Sequence, residues 1–304
     1  MNAPALSMWR PSPKLARHSL PYLLMAPALI LLTVLTLVPL VYSIFLSFYD
    51  AQLGFGLGRF VGLDNYSAVL QDPRFWASAW NTVVWVAGSV SSQIIVGVLL
   101  AVIIDRLIVG RNFFRAALFL PWVMPVAVIA YLWRWILNPQ SGIVNVTLRN
   151  WGVEWGASLP WLSDPNSAMA SALLINLWRG VPFVMIMVVA ALQGIPKDEY
   201  EAARISGAGV LREFWYVTLP NLKLIIATLV LLRTMQIANN FSLMWLLTGG
   251  GPADSTEILP LLVYLKAFGA HEFGEASALA VLMLVAMMVV AVLYARLLKE
   301  RSHA

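Results

Sequence analysis

Six apolar stretches separated by short polar segments set the rhythm of this chain. They fall at 22–48, 80–104, 116–137, 168–192, 222–247 and 276–298. Each is long enough to cross about 30 Å of hydrocarbon as a helix, which takes roughly 20 residues. Within lipid the backbone must satisfy its own N–H and C=O groups, so an isolated apolar run crosses as a helix. The pattern predicts an all-α polytopic membrane protein with six transmembrane helices. Pro27, Pro39, Pro121, Pro125 and Pro182 lie inside the stretches. Membrane helices tolerate proline where neighbours take up the freed carbonyls. No fixed-period repeat is evident.

Basic residues give the orientation. With the N-terminus inside, the inner side carries Arg10, Lys14, Arg17, Arg106, Arg111, Arg115, Lys197, Arg204, Arg212, Lys223, Arg296, Lys299 and Arg301, against Arg59, Arg74, Arg149 and Lys266 outside. Thirteen against four predicts cytoplasmic termini, with 1–19 and 299–304 as tails and 20–298 as the transmembrane domain. The basic N-terminus has the look of a signal peptide, but its apolar run is too long and lacks a clear cleavage site, so it is expected to be retained as helix one. The outer loops hold Asp50, Asp64, Asp72, Glu154, Asp164, Asp254 and Glu257, and interfacial aromatics such as Trp76, Trp151, Trp155 and Trp161. Tryptophans in such flanks are expected to anchor at the headgroups. None of the loops exceeds about 30 residues, too short for an inserted domain.

Between helices four and five the chain turns polar at 196–220, PKDEYEAARISGAGVLREFWYVTLP. Pro196 ends the preceding helix. Asp198 and Glu201 have the spacing of a capping box for a new short helix, with Glu199 near its positive end and Gly207 suited to a left-handed stop. Gly209 loosens the corner. A second amphipathic turn carries Phe214, Trp215 and Val217, and Pro220 is expected to stop it. Ala202 and Ala203 leave the backbone of the short helix open to close approach by a groove on another protein.

Composition sharpens the class. Hydrophobic residues make up 60% of the chain and charged ones 12%, outside the range of soluble domains. The net charge of +5 lies in clusters that topology explains, so no nucleic-acid partner is expected. Cysteine is absent, and His18, His271 and His303 form no ligand pair, so no metal site is expected. No G-x-x-x-x-G-K-S/T loop occurs, so any ATP has to be bound elsewhere.

Polar groups inside the membrane are costly, about 2.5–3.5 kcal/mol for an arginine at helix centre. Arg134 and Arg179 are near enough to an interface to snorkel; Arg233 is deeper. Asn176, Arg179, Gly180 and Phe183 share one face of helix four, and Arg233, Gln236, Ile237 and Asn240 one face of helix five. Amides and guanidinium groups bond to hydroxylated ligands, and Phe183 could cover the apolar face of a sugar ring. The same amides also serve as ties between membrane helices.

A family resemblance extends these readings. Glu201, Ala202, Ala203, Gly207, Val217, Leu219 and Pro220 have the spacing of the signature loop of ABC-importer permeases, with Val217 where that pattern usually has isoleucine. FVGLDNY (60–66), Asn81-Thr82 at the opening of helix two, RAALFLPWVMP (115–125), NPQSGIVN (138–145) and LTGGGPADST (247–256) resemble the carbohydrate-uptake, maltose/glycerol-phosphate type. Asn176, Trp178, Gly180, Pro182, Phe183 and Asn239 to Phe241 resemble its substrate-lining helices, although Arg179, Arg233 and Gln236 depart from the maltose-type pattern. The resemblance implies a bacterial inner-membrane permease, itself not an enzyme. Its implied partners are a second homologous permease, two ATP-binding subunits that hold ATP and Mg, an extracytoplasmic solute-binding protein, a carbohydrate substrate and membrane lipid. It assigns Glu201, Ala202, Ala203, Gly207 and Pro220 to ATPase coupling. A phosphorylated polyol remains an alternative cargo. An ion-coupled transporter would need an intramembrane carboxylate, and the acids lie in loops or at helix ends. An intramembrane enzyme would need a nucleophile and base at membrane depth, and no such set is seen.

Overall fold

The structure, a computed structural model, describes residues 13–301 apart from 53, 55, 107–109, 154, 155 and 157. Arg10, Glu154, Trp155 and His303 lie outside the described residues. Among those described the chain is helix and loop, with only isolated bridges such as Tyr49 to Phe60.

The first span runs through α1 (Pro13–Leu32), a widened π turn (Thr33–Leu37) and α2 (Val38–Leu46). The wide turn has a cause: Pro39 cannot donate to the ladder and its ring presses on the carbonyl one turn earlier, and a π turn moves that carbonyl away. After α3 (Asp64–Gln71), the second span is α4 (Pro73–Asp105). It starts well before Asn81-Thr82, because Asp72 accepts the Arg74 N–H at 2.9 Å and Pro73 takes the first helical position.

The third apolar stretch is not the single helix expected at 116–137. It forms α5 (Arg111–Val123) and α6 (Val126–Ile136), bent by 96°. Met124 precedes Pro125 and is held extended, at φ −66° and ψ 137°, the conformation a following proline favours. Pro121 stays within α5. The short α7 (Ile143–Asn150) follows, and then α8 (Pro165–Leu192), which contains Pro182.

The polar island folds as α9 (Lys197–Ile205), α10 (Val210–Glu213) and a π turn (Phe214–Thr218) that leads into α11 (Leu219–Ala238). Two expectations change here. Pro196 stands at the N-cap and no side chain caps α9, so Asp198 and Glu201 form no capping box. Pro220 does not stop the helix, because a wide turn again precedes it, with the Leu219 N–H on Phe214 O. The helix expected at 222–247 also breaks, into α11 and α12 (Phe241–Leu247). Asn240 sits at the break and its Oδ1 accepts the Leu243 N–H at 3.4 Å, a cap that competes with helix continuation. The chain ends with α13 (Leu259–Tyr264), a π turn (Leu265–Gly269) and α14 (Phe273–Arg301). Among the described residues five helices are long and apolar enough to cross a membrane, and the count is six if the bent α5–α6 pair is one broken span rather than a re-entrant loop.

The core is the α4–α8 pair, with α5 and α11 packed on it. Gly97 of α4 lies where a Cβ would overlap Val184, and Gly180 of α8 where it would overlap the Gln93 carboxamide. Such small residues let membrane helices approach closely, since packing rather than the hydrophobic effect joins them in lipid. Ala101, Val184, Met185, Val188 and Leu229 fill the half where α4 ends, and Trp85, Ile129, Ile175, Ile237 and Met244 the other half. At the end of the bundle where α4 starts, buried Glu257 accepts from Arg74 Nε at 2.9 Å and Ser78 Oγ at 2.9 Å, while Lys266 meets Glu275 at 2.7 Å. Charge ties thus hold the loop after α12 to the head of α4.

Candidate functional site

Between the middle of α8 and the last turns of α11, polar side chains converge on a cavity of about 230 Å³. Asn176, Arg179 and Gly180 reach it from α8, Arg233 and Gln236 from α11, Asn240 from the helix break and Trp122 from α5. The sequence reading placed all of these except Trp122 on its candidate faces. Phe183 is not on the wall. Its ring lies behind, stacked on Trp122 at 5.8 Å and 5.7 Å from the Arg233 guanidinium carbon. Trp122 is the aromatic surface that faces the cavity.

The organising residue is Gln93 of α4, which sequence reasoning did not single out. It is fully buried; its Oε1 accepts from Arg233 Nε at 2.9 Å and from Nη2, and its Nε2 donates to Asn176 O at 2.9 Å. Arg233 Nη1 donates to Gln236 Oε1 at 2.9 Å, and Asn176 Nδ2 to Ser89 Oγ at 2.9 Å. A signal was present: Gln93 is the one amide side chain between Thr82 and Asp105. Gly180 is glycine because this carboxamide occupies its Cβ position. Arg179 is half-buried on the cavity wall, while Arg134 is exposed and leans on Leu246 O at 3.4 Å.

Larger hollows include one of about 520 Å³ between the end of α4 and α9, lined by Arg106, Tyr200, Arg204 and Glu213, and two of about 550 and 540 Å³ between α2 and α14 and between α4, α11 and α14. The walls of the last two are mostly apolar, without the convergent polar groups that fix a ligand's orientation.

At the end of the bundle where α4 finishes, α9 stands clear with no buried residue. Its inner face is anchored: Tyr200 Oη pairs with Thr218 Oγ1 at 3.1 Å, and Arg204 Nε donates to Glu213 Oε1 at 2.7 Å. Asn221 reaches Glu199 at 2.7 Å. Glu201, Ala202 and Ile205 face outward, and Ala203 is half-buried. Gly207 adopts φ +77° and closes the helix as expected from its position, with Ala208 N on Ala203 O at 3.0 Å. Pro220 is exposed on the first turn of α11, away from α9's outer face.

Glu213 was also missed. Its carboxylate is 4% exposed and accepts from Arg204 on one oxygen and from Arg106, at the end of α4, on the other at 3.2 Å. The hydrogen bond that Arg204 donates to Glu213 raises the Arg204 pKa above its ordinary value. Both arginines remain partly solvated, which limits what the pairs contribute. Glu213→Gln is expected to lower stability by only about 1–2 kcal/mol, but to release α9. Amide hydrogen exchange across 197–205 should rise at least several-fold, while α4 and α8 stay protected.

Comparisons with known proteins agree with this architecture. A family described as "Binding-protein-dependent transport system inner membrane component" matches residues 93–303. The sulfoquinovosyl glycerol transport system permease protein of Agrobacterium fabrum is 33% identical over 298 residues, 98% of this chain and 96% of that protein. The trehalose/maltose transport system permease protein of Thermococcus litoralis is 32% identical, covering 92% and 94%. A crystal structure of a bacterial ABC transporter involved in the import of the acidic polysaccharide alginate superposes with a TM-score of 0.83 at 22% identity, over 94% of this chain and 98% of that one. At that identity the likeness is one of fold.

Proposed function

Since this chain belongs to the family of binding-protein-dependent transport system inner membrane components, we propose that it forms half of the pore of an ATP-driven carbohydrate importer. The relatives named for sulfoquinovosyl glycerol and for trehalose/maltose suggest a sugar, oligosaccharide or polyol cargo, and a glycerol-phosphate-type cargo is the alternative. In this reading Asn176, Arg179, Gly180, Arg233, Gln236 and Asn240 line the path, with Phe183 backing Trp122. Glu201, Ala202, Ala203, Gly207 and Pro220 belong to the coupling loop, 196–220. A cavity of 230 Å³ suits one sugar ring, and a second, homologous permease closes its open side. An outer binding protein delivers the solute, and a pair of ATP-binding subunits supplies ATP and Mg chemistry below. The transmembrane domain occupies 20–298 of a bacterial inner membrane, with both termini in the cytoplasm.

The observation that carries this reading is that α4 is bonded to both places. Its cytoplasmic end reaches α9 through the Arg106, Glu213 and Arg204 ion pairs, and its middle holds Arg233 and Asn176 through Gln93. A push on α9 therefore bears on the helix that organises the cavity. An ion-coupled transporter is disfavoured because none of the cavity-lining residues is acidic.

The chain lacks cysteine, so one introduced thiol is unique. Ala202→Cys in the assembled transporter is expected to cross-link to an ATP-binding subunit, with a yield that changes when ATP is added. If no adduct with a nucleotide-binding chain forms, the importer reading fails.

A further inference from the structure

The cavity between α8 and the end of α11 is cationic, and no acidic residue lines it. Arg179 and Arg233 stand on its wall among amides, Gly180, Ile237 and Trp122. Arg233 is 8% exposed, and its hydrogen bonds go to the neutral oxygens of Gln93 and Gln236. Arg179 Nε is buried and meets no acceptor. The two guanidinium groups also repel each other. Buried charges are ordinarily paired, because an unpaired one loses its hydration without compensation. Among the described residues Arg74 meets Glu257, Lys266 meets Glu275, and Arg106 and Arg204 share Glu213, while Arg115 on α5 also has buried nitrogens without an acceptor. The cavity differs in bringing two such cations together on one wall.

We infer that the cargo is an anionic carbohydrate, a sugar or polyol bearing a phosphate, sulfonate or carboxylate group that is received between Arg179 and Arg233. This rests on the importer reading of the same cavity. A guanidinium has five N–H donors in a planar fork that matches two oxygens of one anion. Arg233 directs three toward amides, which leaves a donor on each terminal nitrogen, and Arg179 adds its Nε–H. Gln93 and Gln236 fix the Arg233 plane in advance, so little freedom is lost when an anion arrives. Trp122, braced by Phe183, gives the sugar ring a flat apolar wall beside the charge. A neutral sugar in the same place would leave both cations uncompensated.

The test uses the complete transporter, with its partner subunits, in nanodiscs without binding protein. Equilibrium binding is measured for radiolabelled glucose 6-phosphate, glucuronate and sn-glycerol 3-phosphate, with glucose and glycerol as neutral controls. At least one anion is expected to bind tenfold or more tightly than its neutral counterpart. Arg179→Gln should remove most of that preference, while Arg179→Lys retains part of it; nucleotide-driven ATPase activity verifies assembly of each variant. Equal or tighter binding of the neutral compounds, binding of none of the anions, or an unchanged preference in Arg179→Gln overturns the inference. In a parallel assay in proteoliposomes with the binding protein, ATP-driven uptake of a neutral sugar alone would remove the anionic cargo and keep the importer. Absence of ATP-driven uptake for every carbohydrate would remove the importer reading itself.

Discussion

Ala202→Trp is expected to reduce ATP-driven uptake roughly a hundredfold while leaving thermal unfolding of the chain unchanged. The two halves of that result come from one geometric fact. On α9 the side chains of Tyr200 and Arg204, one turn apart, bind Thr218 and Glu213 and hold the inner face to the bundle. Ala202 lies on the outer face and is exposed, so an indole there displaces nothing within this chain. It would instead fill the space that a docked subunit needs. Overpacking a fitted surface costs about 1–3 kcal/mol, and roughly 2.7 kcal/mol is a hundredfold. Uptake and ATPase rate in proteoliposomes, with calorimetry on the same preparation, check both halves. Normal uptake would move the docking surface off α9. Gly207 is a less clean probe of docking: its φ of +77° strains any other residue, so a loss of uptake there mixes docking with folding.

The spans and the loop were legible because each rests on a long or local signal. Twenty apolar residues have one fate in lipid, and the short helix at 197–205 is set by Pro196 before it and Gly207 after it. The breaks were not legible. Pro121 and Pro125 look alike in an apolar run, and what separates them is whether the preceding residue can leave the helix, as Met124 does, with α6 free to turn and pack on α12. Asn240 read equally as a face residue and as a cap. The site was half legible for a related reason. Periodicity assigned Asn176, Arg179, Arg233 and Gln236 to faces, but which faces meet is decided by the approach of α4 to α8, and that brought in Gln93. Glu213 was hidden because an acid in a polar loop is ordinarily solvated, and only the fold reveals that two arginines close over it.

The same network yields an experiment that separates a helix tie from a cargo path. Gln93→Leu is expected to destabilise the protein by about 2–4 kcal/mol, because it leaves the Arg233 guanidinium buried without its principal acceptor and strips the Asn176 carbonyl of its donor. Arg233→Leu alone removes the cation, and its cost should be smaller, as an amide left unpaired loses less than a charge. The double variant Gln93→Leu with Arg233→Leu should recover much of the loss, since exchanging both partners of a buried polar contact for apolar ones is often close to neutral. If the pair served only to join α4 and α11, the stabilised double variant would transport normally. A cargo path requires the opposite: stability restored, ATPase assembly intact, and uptake still lost, because no guanidinium from α11 then faces the cavity. Detergent-phase thermal unfolding measures the coupling between the two positions, and proteoliposome uptake by the double variant decides between the roles.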